Sequence, residues 1–372
     1  ILVSGADAVG LGAIAGGCDF ISSYPMSPST AVLAFMAGKG RDFGVLAEQA
    51  EDEISAINMA VGAWYAGARA MVTTSGGGFA LMTEGISLAA MLESPAVIHL
   101  AQRPGPATGL PTRTEQGDLE LVLHAGHGEF PRIIFAPGTL EDAFYLTQRA
   151  FNLADRYQVP AIILTDQYFM DSYYNIEPFD ISGLSVEKKI VKTEQNYQRY
   201  RITDDGISPR GVPGFGSGLV CADSDEHDQE GHITEDLELR VRMVDKRMKK
   251  LELISSQSEE PVLIGDDDYR NLVICWGSTL NIVSEALSRT GMKKAAVLHF
   301  SQLYPLHEKT AELINQAEEV AVVENNATAQ FARLLESRAG VKIDHNILKY
   351  DGLCFASDSL AEKLKERFGG QV

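Results

Sequence analysis

Twice along this chain, short runs of β-branched and aliphatic residues alternate with longer segments of helical periodicity, and that alternation restricts the fold more than any other feature. From Ile1 to about residue 175, ILVSG, RAMVTT, PAVIHLAQR, PRIIFAPG and VPAIILTDQ read as strands, while DFISSYP runs into a turn. Between them DAVGLGAIAGG, SPSTAVLAFMAGKG, EQAEDEISAINMAVGAWYAGA, FALMTEGISLAAMLE and LEDAFYLTQRAFNLADRY read as helices. Apolar strands separated by helices predict an α/β fold with a parallel sheet covered on both faces, here over 1–175. A second alternation opens at NLVICWGS and continues through LNIVSEALSRTG, KAAVLHF, LHEKTAELINQ, EVAVVEN and ATAQFARLLESRAG. It predicts a second α/β domain over 263–372, of roughly 100 residues. The stretch 176–262 is polar and turn-rich, with one amphipathic helix, DLELRVRMVDKRMKKLELI, whose Leu, Val and Met residues recur at helical spacing. An ordered connector is expected there, and no tandem repeat of roughly 20–50 residues is present.

Charge and cysteine usage narrow the class. A net charge of −19 disfavours nucleic acid and anionic membrane surfaces, and would also repel an acidic protein partner. Cys18, Cys221, Cys275 and Cys354 include no Cys-x-x-Cys pair, so neither a disulfide framework nor a zinc or iron–sulfur ligand set is expected. Four reduced thiols suit a cytoplasmic protein. No apolar run approaches the ~20 residues of a membrane span. The opening ILVSGADAVG carries no basic leader, so no signal peptide is expected, and the missing initiator Met suggests residues upstream of Ile1.

The most informative stretch is the acidic helix start EQAEDEISAINMAVGA. Glu48, Glu51 and Asp52 fit exposed positions of a first turn, where carboxylates complement the helix dipole. Glu53 differs, because its neighbours at helical spacing are Ala56, Ile57, Ala60 and Val61, which puts it on the inward stripe. A carboxylate there has its pKa raised by desolvation unless something hydrogen-bonds it. The alternative is a first-turn glutamate that bends out to solvent.

Three further tracts are candidates. In SSYPMSPST two prolines flank Ser27, and Ser29 and Thr30 can cap the next helix, so the segment is either a rigid ligand-facing turn or an ordinary capped one. TTSGGG lacks the spacing of a nucleotide or dinucleotide loop, and its three glycines say mainly that something passes close to the backbone. Arg103 ends the strand PAVIHLAQR, where parallel sheets place ligands and a guanidinium can clamp a carboxylate, although strand-end arginines are commonly surface residues. The connector's DSDEHDQEGHITED gathers Asp223, Asp225, His227 and His232 but matches no calcium-loop or helical His-pair spacing, so a solvated acidic loop is expected.

Taken in order, SSYPMSPST, EDEISAINMAVGAWYAGARAMVTTSGGGFALMTEG, IHLAQRPGPATGLPTRTEQGDL and SPRGVPG…DSDEHDQEGHITED resemble the α subunit of the 2-oxoacid:ferredoxin oxidoreductases over nearly the whole chain. The resemblance implies a pyrimidine-type thiamine-diphosphate-binding parallel-sheet domain followed by a transketolase C-terminal-like α/β domain. It implies that Glu53 hydrogen-bonds N1′ of the aminopyrimidine, with Tyr24 and Pro25 also at the cofactor. It places Ser27 beside the reacting carbonyl of a 2-oxoacid and Arg103 on its carboxylate. Ser27 stands where many members carry Thr and Met26 where many carry Ile, departures that bear on substrate side-chain preference. The tract GLPTRTEQGDL is closest in character to the 2-oxoglutarate branch. The Gly-Asp-Gly motif of a diphosphate–magnesium site is missing, since GDDDY at Gly265 lacks the second Gly. The resemblance therefore implies a β subunit carrying the Mg2+ and diphosphate contacts, a [4Fe–4S] cluster and the ferredoxin dock, and some members fuse a γ domain upstream. The implied reaction is oxidative decarboxylation with coenzyme A to acyl-CoA, carbon dioxide and reduced ferredoxin. The alternatives are a lipoamide-linked dehydrogenase or transketolase-type subunit, and a non-catalytic assembly subunit.

Overall fold

The computed structural model describes residues 1–369, so the last three residues of the 263–372 segment lie outside the described ones. The first half builds a sheet whose strands run in the order Ile133–Phe135, Pro160–Asp166, Ala96–Gln102, Ala70–Thr74, Phe20–Ser23 and Leu46–Gln49, all paired in parallel. Its central strands Ala96–Gln102 and Pro160–Asp166 are buried along their whole length, as a sheet covered by helices on both faces requires. The helices Gly5–Ala15 and Leu140–Tyr157 pack on each other and both start from capping boxes, Ser4 with Asp7 and Thr139 with Asp142. Their approach is close because Gly12 lies on the Phe144 carbonyl, where a Cβ would come within 2.4 Å of the oxygen.

Several local expectations shift. The strand Leu2–Ser4 does not enter the sheet but pairs antiparallel with Tyr173–Asn175 in a separate ribbon. Glu48 belongs to the edge strand Leu46–Gln49, so the acidic helix begins only at Glu53, with Asp52 as its N-cap accepting from the Ser55 N–H at 2.7 Å. Ser29 does not cap the helix Thr30–Phe43; its hydroxyl donates instead to the Met26 carbonyl at 2.7 Å, closing the turn behind Ser27. The three glycines after TTS form the first turn of a short helix, Gly76–Leu81, and the helical run breaks at Met82 before Thr83–Met91.

The second sheet is ordered His345–Leu348, Glu319–Glu324, Asn271–Trp276, Ala295–Phe300 and Val262–Gly265, the last antiparallel. Between Ala295–Phe300 and the helix Thr310–Asn315 the chain crosses back: Gln302–Tyr304 pairs antiparallel with Ile133–Phe135 as the outer strand of the first sheet. One cluster of buried apolar side chains accordingly includes residues of both sheets.

The connector helix Leu237–Ser255 departs from the amphipathic expectation. Leu237 and Val241 are 80% and 59% exposed, whereas Lys246, Arg247 and Lys250 are buried beside Met243 and Ile254. The reason is Glu93, buried at the end of the preceding helical run, which accepts from Lys246 Nζ and Lys250 Nζ at 2.5 Å each. A second buried acid, Asp155, is held between Arg210 of the connector at 2.6 Å and Arg69 at 3.3 Å. The acidic loop is not simply solvated either: Glu226 is bridged by Arg240 and Arg247, and His227 is buried against the Tyr200 ring. Among the described residues, no group of three His, Cys, Asp or Glu side chains is arranged to hold a metal ion.

Candidate functional site

Parallel strands deliver their following loops to one sheet edge, and ligands of such sheets sit there. The strands Phe20–Ser23, Leu46–Gln49, Ala70–Thr74 and Ala96–Gln102 lead respectively into Tyr24–Ser29, the Asp52–Glu53 helix start, Ser75–Gly78 and the long loop from Arg103 to Asp118. All five residues singled out in the sequence, Tyr24, Pro25, Ser27, Glu53 and Arg103, therefore come to the same edge. Two of them touch: Arg103 Nη1 donates to the Ser27 carbonyl at 2.7 Å. Tyr24 and Ser27 are exposed and Pro25 half-buried, so this part of the edge is open.

Glu53 is 3% exposed, and its Oε1 is buried with no hydrogen-bond partner among the described residues. It faces the triple-glycine turn, where a Cβ on Gly78 would lie 2.4 Å from Oε1 and 2.3 Å from Thr74 Oγ1. Burial raises its pKa above the usual carboxylate value, and the neighbouring Asp52 charge adds to the rise. Below the turn His99 is fully buried between Thr73 Oγ1 at 2.8 Å and Thr165 Oγ1 at 2.9 Å, and desolvation pulls it down to about 3. It therefore stays neutral and braces two strands at the site's floor.

Sequence reasoning passed over two members of this edge. Ser75 Oγ is buried without a partner among the described residues, and so is Asp118 Oδ2. Asp118 presses on the opposite end of the glycine turn, with Oδ2 within 2.5 Å of where a Gly76 Cβ would be. Burial pushes its carboxyl up to about 7, with Glu115 adding to the rise and Arg103 opposing it. No local pattern marks Asp118: an Asp before a short helical run reads as a cap, yet its side chain caps nothing. The glycines were the available signal, since what passes close to their backbone is a carboxylate on either side.

The second half of the molecule holds this loop in place. Gln116 exchanges backbone and side-chain hydrogen bonds with Asn325 at 2.7 and 3.0 Å and donates to the Trp276 carbonyl at 2.8 Å. Gln330 donates to the Gly117 carbonyl at 2.8 Å. Thr114 is anchored on the buried Asp166, which Ser278 also reaches.

The fold that builds this edge is found in known proteins. Residues 11–246 match the family model of the pyruvate flavodoxin/ferredoxin oxidoreductase thiamine-diphosphate-binding domain. The KorA subunit of 2-oxoglutarate synthase from Archaeoglobus fulgidus is 30% identical over 376 residues, covering 100% of this chain and 99% of that one. This chain belongs to the 2-oxoacid:ferredoxin oxidoreductase α-subunit family. Another family member, the α subunit of 2-oxoacid:ferredoxin oxidoreductase 1 from Sulfurisphaera tokodaii, is 38% identical over 382 residues. The alignment covers 97% of this chain but only 60% of that relative's length. Among solved structures, the 2-oxoglutarate:ferredoxin oxidoreductase of Magnetococcus marinus, with 2-oxoglutarate, coenzyme A and succinyl-CoA bound, superposes with a TM-score of 0.92. It is 33% identical, with 99% of this chain and 65% of that chain aligned. The family's thiamine-diphosphate-binding fold accounts for the parallel sheet, and among the described residues no helix is long and apolar enough to cross a membrane.

Proposed function

We propose that this chain is the pyrimidine-binding half of a thiamine-diphosphate-dependent 2-oxoacid:ferredoxin oxidoreductase, with 2-oxoglutarate the favoured substrate. The observation that carries this reading is Glu53: a buried carboxyl with a raised pKa, packed against a glycine turn, whose Oε1 has no hydrogen-bond partner among the described residues. Such a group is destabilising unless a ligand supplies the missing hydrogen bond, and a ring nitrogen that must gain and lose a proton is a fitting partner. The glycines let the backbone turn close onto Glu53, because a side chain at Gly78 would collide with Glu53 and Thr74.

When bound, thiamine diphosphate supplies the electron sink that decarboxylation of a 2-oxoacid needs. Glu53 Oε1 would hold the aminopyrimidine nitrogen by a hydrogen bond, and its burial makes it hold a proton more firmly than an ordinary carboxylate does. Tyr24 and Pro25 form the adjoining wall. Arg103, steadied by the Ser27 carbonyl, keeps further N–H donors for the substrate carboxylate, and the Ser27 hydroxyl lies beside the reacting carbonyl. The names of the relatives, 2-oxoglutarate synthase in one and a bound 2-oxoglutarate in another, favour a five-carbon dicarboxylate.

The remaining parts belong to partners. A β subunit provides the Mg2+–diphosphate contacts, the [4Fe–4S] cluster and the docking of ferredoxin, which the −19 charge of this chain would repel. Coenzyme A is the acyl acceptor, and the assembly works in the cytoplasm. Coexpression with the cognate β subunit and assay of 2-oxoacid-dependent viologen reduction tests the reading. Turnover that falls in Glu53→Gln supports it; no turnover with 2-oxoglutarate, pyruvate or branched-chain 2-oxoacids in a cluster-loaded complex overturns it.

A further inference from the structure

The chemistry proposed above uses none of the buried cations along the connector seam, and these outnumber the acids beside them. Arg69, Arg199, Arg210, Lys246 and Lys250 are all buried there, against two buried carboxylates, Glu93 and Asp155. Glu93 is taken by Lys246 and Lys250, and Asp155 by Arg69 and Arg210. Glu226 is likewise shared by two arginines, Arg240 and Arg247. Arg199 is left with neutral partners. Its Nη2 donates to the main-chain carbonyls of Leu92 at 3.2 Å and Glu93 at 2.6 Å, and its guanidinium lies over the Tyr200 ring. Its Nη1 is buried with no hydrogen-bond partner among the described residues. A buried charge in that position is costly unless a counter-charge meets it.

Arg199 lines a cavity of about 20 Å³ together with Arg210, Trp64, Tyr65 and Ser94, and among the described residues no Asp or Glu lines it. Arg210 is 4% exposed; it gives Nη2 to Asp155 at 2.6 Å and Nη1 to the Trp64 carbonyl at 3.1 Å. Its Nε is buried and, like Arg199 Nη1, unpartnered among the described residues. The other polar groups of the wall are already committed: the Tyr65 hydroxyl donates to the Val220 carbonyl at 2.8 Å and the Ser94 hydroxyl to the Pro95 carbonyl at 3.1 Å. Two guanidinium groups thus border a space that lacks an acceptor and a negative charge. Its size limits the guest, since about 10–15 Å³ is the least that holds one water. One particle of water or halide size fits, and a phosphate does not. A water could accept from the arginines but would leave the excess charge in place, whereas a halide answers both needs. Tyr65 is 40% exposed, so one wall of the cavity borders solvent.

We propose that this cavity is a binding site for one small monatomic anion of the chloride class, held between Arg199 and Arg210. The ion ties the connector to the first domain. Arg199, Arg210 and Ala222 reach the cavity from the connector, whereas Trp64 and Tyr65 end the helix that begins at Glu53, and Ser94 follows directly on Glu93. The site is structural: it fixes the far end of the Glu53 helix against the connector and takes no part in the chemistry. It stands apart from the 2-oxoacid reading and would hold whatever the substrate.

The test uses the chain coexpressed and assembled with its cognate β subunit. Crystals grown in gluconate and soaked in sodium bromide should show an anomalous peak in the cavity, within hydrogen-bond distance of Arg199 and Arg210. A cavity that holds only water at saturating bromide overturns the proposal. In solution, the melting temperature of the assembled enzyme should rise by a few degrees with chloride or bromide and then level off, as linkage to a single site requires. Gluconate at the same ionic strength, being too large for the cavity, should not reproduce the rise; an equal rise in gluconate is general salt screening and counts against the site. Arg199→Met should lose the halide-specific part of the rise, which separates this cavity from any halide site on the partner. Ala222→Leu guards against a failure of Arg199→Met to fold: it fills the cavity from its wall while keeping both arginines, and should also abolish the bromide peak and the halide response. A halide response unchanged in either folded variant overturns the proposal.

Discussion

Two regions of this molecule bury carboxylates, and they treat them in opposite ways. Along the connector seam, Glu93 meets Lys246 and Lys250 and Asp155 meets Arg69 and Arg210, all of them buried. At the sheet edge, Glu53 and Asp118 each bury an oxygen that nothing in the described chain satisfies. Burial alone would raise Glu93, but the two ammonium groups hold it well below the usual carboxylate range, whereas Glu53 and Asp118 are both pushed up. A paired buried acid clamps one segment to another. An unpaired one opposes folding, because its desolvation is not repaid by a hydrogen bond.

The contrast predicts which loss falls on rate and which on stability. Glu53→Gln should lower 2-oxoacid-dependent acceptor reduction by about 10²–10⁴-fold, the range for a lost proton-transfer group, while leaving the urea midpoint of the chain unchanged or higher. Glu93→Gln should do the reverse, costing about 3–5 kcal/mol in urea unfolding because two ammonium groups are left buried without their counter-charge. A stable Glu93→Gln protein would show that the seam does not hold the connector by charge.

Smaller effects follow at the glycine turn. Gly78→Ala forces a methyl onto Glu53 and Thr74 and should cost about 1–3 kcal/mol, with a loss of activity out of proportion to the unfolding. The smallest effect is in the pH dependence of stability, where the two regions have opposite signs. Glu93 is depressed when folded, so its contribution is present above its unfolded pKa and is lost as pH falls through the folded value. Asp118 is raised, so the folded state binds more protons between 3.8 and about 7, and stability declines as pH rises through that window. Asp118→Asn should flatten the neutral limb of a melting-temperature profile and Glu93→Gln the acid limb.

By itself the sequence determined the alternating α/β architecture, because strand and helix periods are local and the central strands of the first sheet are short, mostly apolar runs. It also set Glu53 apart, since its inward neighbours follow from helical spacing alone, and it located Arg103 at a strand end. Only the tertiary structure decided the rest. Glu48 is a strand residue, Ser29 spends its hydroxyl on Met26 rather than on a cap, and the outer strand Gln302–Tyr304 is lent across from the second half. The connector helix buries its basic face because Glu93, more than a hundred residues earlier, lies under it. Asp118 has no signature in its own neighbourhood: its burial is made by Gly76, Gln102 and a loop that Asn325 and Gln330 hold shut. Local periodicity records which way a residue faces, but whether a charge found there meets a partner depends on chain segments far away in sequence.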